Sequence, residues 1–348
     1  AHKDTNTNTH KHTQPHKHTM AAPTPPARLS AEDCERLIEE VGKCSTEEEL
    51  KAAGFEPLTV GFANQVCGTS LQGQELIVKR YTDLVFLRLT PDVVGAVDSF
   101  AGEIGLGPKV FYSSPRGLVM ERLPGETLGE PQLHADDWPL LESIATRLAD
   151  CHCRPAPKQC QGPPMLWRTI DKMMEVVKSN PSVLPPNLPG LDAISEEISK
   201  ARAALEKMGA KVVLGHGDFK PSNIIRHNLP ENGEFTVTFI DFELGGPNYR
   251  AFDLMKVFRT ALPMSERSML HFYEAYAREV HRLSPDGAKE SAEDLLAESR
   301  SFEPLTWLEA AVFFLTLPLF KPSETQRWQD LAEDRWRKFM ETKQMLNA

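Results

Sequence analysis

No stretch of this chain reaches the ~18–20 uninterrupted apolar residues that a membrane-spanning helix needs. The best run, Leu305 to Phe320, is broken by Glu309 and Pro318 and reads as a buried helix. Positive charge is also in short supply: 39 Lys and Arg stand against 49 Asp and Glu, a net charge of −10. That balance argues against a nucleic-acid or anionic-membrane surface as the main partner, and the missing apolar span against stable membrane insertion. Cysteine is sparse, six residues scattered over 348. So long a chain with so few cysteines is not a disulfide scaffold, and free thiols in a reducing compartment are expected. The start carries no secretory pattern, and no segment repeats. These absences point to a cytoplasmic globular protein. Its length suits one two-lobed domain or two ordinary ones, with 41% hydrophobic residues to fill a core.

Residues 1–28 are rich in Thr, His and Pro without a hydrophobic period and are expected to be a disordered tail. Five of the eleven histidines fall there (His2, His10, His12, His16 and His18), read either as a weak metal site or as a plain tail. Residues 1–19 belong to the native protein or precede a start at Met20. Ser30 with Asp33 predicts a capped helix through Val41, and Ser45 with Glu48 a second one ending at Gly54. From Phe55 the pattern turns β-like, with candidate strands at Leu58–Val66, Leu76–Tyr81, Val110–Tyr112 and Leu118–Glu121, interrupted by a helix from Pro91 to Ile104. Beyond Gly125 helical periods dominate, at a segment ending near His152 and at 168–178, 192–208, 265–283 and 290–345. Three short apolar runs, Val212–Leu214, Asn223–Arg226 and Phe235–Asp241, suit small strands that hold loops. The expected architecture is α+β and bilobal: an N-lobe over 29–124, a small antiparallel sheet with one helix, and a larger, mainly helical C-lobe over 125–348.

The chemistry is concentrated in Leu214-Gly-His-Gly-Asp-Phe-Lys-Pro-Ser-Asn-Ile-Ile-Arg226, followed by Phe239-Ile-Asp-Phe-Glu243. Asp218 and Asn223 share one short loop after an apolar strand, and Asp241 ends the next apolar run, 18 residues after Asn223. Phosphoryl transfer from ATP needs a carboxylate that takes the acceptor's proton and two oxygen-bearing side chains that hold Mg²⁺ against the phosphates. Asp218 can serve as base, with Asn223 and Asp241 as metal ligands. The bland alternative is a turn rich in capping residues beside a strand-end acid. The H-x-D-x4-N spacing with the later acid favours the kinase reading.

This segment resembles the catalytic motif of the choline/ethanolamine kinase and aminoglycoside phosphotransferase superfamily. Gly245-Gly-Pro-Asn-Tyr-Arg-Ala-Phe-Asp253 is closer to the choline/ethanolamine kinase branch, which has a similar Asn-Tyr-Arg-Gly-Phe-Asp run there. The resemblance extends more thinly from Leu58 to Phe339. It implies a protein-kinase-like fold, Mg²⁺-ATP as donor, the hydroxyl of a small amino alcohol as acceptor, and a place in phospholipid biosynthesis; it leaves room for a homodimer. By that match His216 braces the loop. Lys220 neutralises the transferred phosphoryl group or simply faces solvent. Lys79 ends a buried strand and pairs with the nucleotide phosphates. Gly61 and Asn64 are what remains of the phosphate loop, and the backbone from Glu121 to Leu123 meets adenine. Kinases of this fold pair the strand lysine with a helix glutamate; the aligned place here is Val94, with Asp98 or Glu103 nearest. On the acceptor side Glu243, Trp307 and Glu309 are the candidates, while the family's tryptophans give way to Phe313, Phe314 and Phe320. Lys256 and Arg259 would repel an ammonium if they faced the pocket. Another small-molecule kinase of the superfamily, or a nucleotide-binding pseudokinase, remains open. Cys151-His-Cys153 with Cys160 has the wrong spacing for zinc and ends a helix whose Leu148 and His152 already match the family.

Overall fold

The computed structural model describes residues 29–60, 64–134, 137–228, 234–259 and 264–347. The His-rich tail and Gly61 therefore lie outside the described residues. Helix α1 (Ala31–Lys43) starts where Ser30 accepts the Asp33 amide through its hydroxyl, and buries Cys34, Leu37, Ile38 and Val41 along one face. Helix α2 (Glu47–Ala52) begins one residue later than Ser45 suggests: Thr46 is the cap and forms a capping box with Glu49. The expected strand 58–66 is a hairpin, β1 (Glu56–Val60) against β2 (Asn64–Leu71), with Thr59 opposite Val66. Strand β3 (Gln74–Tyr81) follows, then the short α3 (Asp83–Phe86). Helix α4 (Ala96–Glu103) is shorter than expected from Pro91, because Gly95 at φ +73° closes a turn before it. Strands β4 (Val110–Ser114) and β5 (Gly117–Glu121) complete an antiparallel sheet of order β1-β2-β3-β5-β4.

The period-2 alternation of β3 decides what each face does. Leu76 and Val78 pack with α1 in one apolar cluster. Lys79 and Tyr81 point the other way, toward the rest of the chain, where Tyr81 joins the larger core. Strand β6 (Glu126–Thr127) then crosses to the second half of the molecule, followed by α5 (Glu130–His134), α6 (Trp138–His152), α7 (Met165–Ser179) and α8 (Leu191–Met208). Strand β7 (Val212–Gly215), β8 (Ile224–Asn228), β9 (Phe235–Phe239) and β10 (Gly246–Tyr249) form two small sheets, β10-β7 and β6-β8-β9. Helices α9 (Arg250–Arg259), α10 (Glu266–Leu283), α11 (Ala292–Ser301), α12 (Glu303–Phe320) and α13 (Thr325–Thr342) close the lobe. The stretch 290–345 is thus three helices, restarted at Pro304 and again after Pro322. The segment Ala292–Phe320 is apolar enough to cross a membrane, yet 78% of its most apolar window is buried inside the protein. Cys151 is buried with its thiol on the Leu214 carbonyl, and among the described residues no cluster of His, Cys, Asp or Glu forms a metal cage.

Candidate active site

Two loops of the small sheets carry the site. The first, between β7 and β8, is pinned by Asp253 at the start of α9. Its Oδ2 accepts the His216 amide at 2.6 Å and its Oδ1 accepts the Gly217 amide at 2.9 Å. His152 lies 3.2 Å from the same carboxylate and 2.8 Å from the Tyr276 hydroxyl, which fixes Asp253 from behind. Gly217 takes φ +80°, and a Cβ there would sit 2.1 Å from the Leu244 carbonyl, so the turn requires glycine. His216 is fully buried, stacks on Phe242 and donates from Nε2 to the Ile240 carbonyl at 2.9 Å. Burial pushes its imidazole below the usual value, so it is a neutral brace joining the two loops.

The second loop places Asp241 in the left-handed conformation, φ +66°, directly after β9. The Ile240 amide donates to the Asn223 carbonyl at 2.9 Å, which joins the loops beside both candidate metal ligands. Asn223 uses its Nδ2 on the Asp218 carbonyl, 2.9 Å away, leaving Oδ1 as its acceptor atom. One amide oxygen and one carboxylate make a hard-oxygen pair. That set fits Mg²⁺, which is held by few protein ligands and completes its shell with phosphates and water. Asp218, Asp241 and Lys220 keep side-chain exposures of 21%, 34% and 39%, so solvent reaches all three.

Asp218 lies between two ammonium groups, Lys220 at 2.8 Å and Lys256 at 3.1 Å. Burial opposes its charge, but the two lysines outweigh it and hold the carboxyl well below the usual range. From the smaller lobe, Lys79 of β3 meets Asp241 and lies 2.8 Å from Glu243. Burial opposes the lysine's charge, and Asp241, Glu243 and Asp98 together raise its pKa well above the ordinary value. The acid that sequence reasoning sought on the N-lobe helix is therefore supplied mainly by the C-lobe. Of the nearest alternatives, Asp98 of α4 is the one drawn in. It accepts the Phe242 amide at 3.1 Å, its Oδ2 is buried without a partner, and burial lifts its carboxyl to about 6. Glu243, expected on the acceptor side, is instead occupied by Lys79, by Arg88 at 3.1 Å and by Asn64 at 2.6 Å. Glu121 and Leu123 lie at the crossing from β5 to β6, where the Glu121 amide donates to the Lys109 carbonyl at 2.9 Å.

Glu309 is buried on α12, its Oε2 3.4 Å from Lys256. Trp307, on the same helix, lies in a separate crevice of about 440 Å³ with Arg259, Arg335 and Lys338. Sequence reasoning noted Lys256 only as a residue that would repel an ammonium, and Arg88 not at all. Lys256 was findable: it stands three residues after Asp253 on one helix, so both face the same loop.

Comparison with known proteins agrees with this arrangement. The Choline/ethanolamine kinase family model matches residues 96–340. Ethanolamine kinase of Drosophila melanogaster is 30% identical over 163 residues, which are 43% of this chain but only 30% of that protein. The chain thus spans about a third of the length of such relatives. Among solved structures, an ethanolamine kinase of Plasmodium vivax superposes with a TM-score of 0.67 at 16% identity, covering 89% of this chain and 93% of that one. A choline kinase of Cryptosporidium parvum gives 0.65 at 17%, covering 90% and 96%. Likeness at that identity establishes the bilobal fold, and the family match spans most of the chain. The chain belongs to the choline/ethanolamine kinase family.

Proposed function

We propose that this protein is an ATP- and Mg²⁺-dependent phosphotransferase that acts on the hydroxyl of a small amino alcohol. The observation that supports it best is the convergence of Asp218, Asn223 and Asp241 from the larger lobe with Lys79 from the smaller one. Asp218 orients the acceptor hydroxyl and takes its proton. Lys79 is placed to meet the α- and β-phosphates, exchanging part of its contact with Asp241 for them. Asn223 and Asp241 would hold Mg²⁺, which would offset the charge of the nucleotide phosphates. Lys220, the more exposed of the two lysines on Asp218, is free to turn toward the transferred group. The backbone from Glu121 to Leu123 faces the adenine, and His216 keeps the loops in register. The relatives' names, ethanolamine kinase and choline kinase, support the acceptor class.

The test is a coupled ADP-release screen with Mg²⁺-ATP over ethanolamine, choline, their methylated intermediates and several aminoglycosides. Acceptor-dependent release with an amino alcohol is expected. Calorimetry adds a second arm: Asp241→Ala should lose Mg²⁺-dependent nucleotide binding, since the carboxylate ligand is gone. Nucleotide binding in Asp241→Ala that is as tight as wild type and equally Mg²⁺-dependent would contradict the assigned metal site.

A further inference from the structure

The two oxygens of Asp218 stand in different surroundings. Oδ2 receives Lys220 at 2.8 Å and Asn223 Nδ2 at 3.4 Å, and the Lys220 side chain is 39% exposed. Oδ1 receives Lys256 at 3.1 Å, and that side chain is only 4% exposed. Lys256 reaches the loop from α9 and spends all three of its N–H groups. They go to Asp218, to the Gly217 carbonyl at 3.1 Å and to Glu309 Oε2 of α12 at 3.4 Å. The same ammonium lies 5.0 Å from the centre of the Phe252 ring. No donor on Lys256 remains for a substrate.

Glu309 is buried too, with its side chain 9% exposed. The cavity that it lines with Met165, Gly217, Leu244 and Phe252 measures about 10 Å³, room for a single water at most. An amino alcohol does not fit there, so Glu309 answers Lys256 rather than an acceptor. The pairing also accounts for a buried lysine beside the base of a kinase whose acceptors carry an ammonium. Lys256 sits between two carboxylates, Asp218 and Glu309, so its charge is offset from the inner side of the loop. A buried cation stripped of one such partner is strongly disfavoured.

We infer that Lys256 and Glu309 form a buried strut that positions Asp218: it fixes Oδ1 and leaves Oδ2, the oxygen facing the more exposed Lys220, to take the acceptor's proton. This rests on the reading of the site as a kinase, and it makes Glu309 a positioning residue instead of an acceptor ligand. In the transfer, the hydroxyl oxygen bonds to the γ-phosphorus of ATP. The bond from that phosphorus to the β–γ bridging oxygen breaks, its electron pair leaves on ADP, and the hydroxyl proton passes to Asp218 Oδ2. The strut touches none of these atoms except through Asp218. Its contribution is geometric, since a base displaced by about 1 Å can cost about 10²-fold in rate.

The experiment measures kcat and acceptor KM of the full chain by ADP release at saturating Mg²⁺-ATP, with whichever of ethanolamine and choline the wild type turns over. Lys256→Met should lower kcat by about 10–100-fold and leave the acceptor KM near wild type, because the base shifts while the acceptor keeps its contacts. Glu309→Leu should show a smaller loss of the same kind. Glu309→Gln, which keeps an oxygen for Lys256, should recover most but not all of it. The double variant Lys256→Met/Glu309→Leu should be no slower than Lys256→Met alone, since Glu309 acts only through the lysine. Losses that multiply in the double variant, or wild-type kcat in Lys256→Met, overturn the inference and leave the kinase reading standing. Should the Met or Leu variants fail to fold, Glu309→Gln decides: a reduced kcat at unchanged acceptor KM supports the strut. A raised acceptor KM puts Glu309 on the acceptor, and wild-type values for both constants leave it no role; either result overturns the inference. No acceptor-dependent ADP release by the wild type overturns both readings.

Discussion

Asp218, the proposed base, is held ionised by its neighbours, and its titration carries over to the pH dependence of the reaction. Burial disfavours its charge, but Lys256 and Lys220 more than compensate, so the group stays deprotonated well below the usual carboxylate range. The acid limb of kcat/KM should therefore lie below that range. Removing one ammonium raises the Asp218 pKa, so Lys256→Met should move the acid limb upward; identical limbs would show that the lysine does not act on the base. Asp98 has the opposite sign. In the folded chain it keeps its proton up to about pH 6, against 3.8 for the ordinary group. The folded state thus binds more protons over that interval, and stability falls as pH rises through it. Asp98→Asn keeps an oxygen for the Phe242 amide and removes the titration. Its urea-denaturation stability relative to wild type should climb between about pH 4 and pH 6, and a pH-independent difference would contradict the assignment. Neither group's protonation was legible in the sequence. The motif names Asp218 as a base, but its two lysines, the nearer in sequence only two residues away, show their effect only once the loop is folded.

Elements were read most reliably where one helix face or one strand face carried the apolar residues. Helix α1 and strand β3 fall close to their expected bounds for that reason. The pairing of β1 with β2 was hidden because one continuous β-like run in the sequence, 58–66, holds parts of both strands, with Val60 opposite Gln65. The break of 290–345 into three helices was signalled by Pro304 and Pro322, each suited to a helix's first turn. The crossing between the two halves depends on Gly125. It takes φ +103°, and a Cβ there would lie 2.2 Å from the Arg226 carbonyl of β8. Gly125→Ala should cost about 1–3 kcal/mol of unfolding free energy from backbone strain, and it should raise KM for ATP by shifting Glu121 to Leu123. A variant as stable as wild type would show that this crossing tolerates a side chain.

At the scale of the whole molecule, the two lobes meet through buried charge rather than through apolar surface alone. Glu243 of the larger lobe gathers Lys79, Arg88 and Asn64 of the smaller one. Removing one partner of such a set leaves cations buried without their counter-charge, so Glu243→Ala should lose about 3 kcal/mol or more of stability, measured by chemical denaturation. The catalytic loops were legible because their residues lie within one short stretch of sequence and carry a recognisable spacing. The interlobe hub and the charges packed behind the catalytic loop were not. Lys256, Arg259, Trp307, Glu309 and Arg335 come from three helices, and only folding shows which charges meet. The account as a whole rests on Asp218 acting as the proton acceptor in a cleft built for Mg²⁺-ATP. The most direct measurement is acceptor-dependent ADP release by wild type and Asp218→Asn at equal nucleotide occupancy. The account predicts a loss of about 10²–10⁴-fold in kcat, with nucleotide affinity and thermal midpoint little changed. Equal turnover by the two proteins would contradict it.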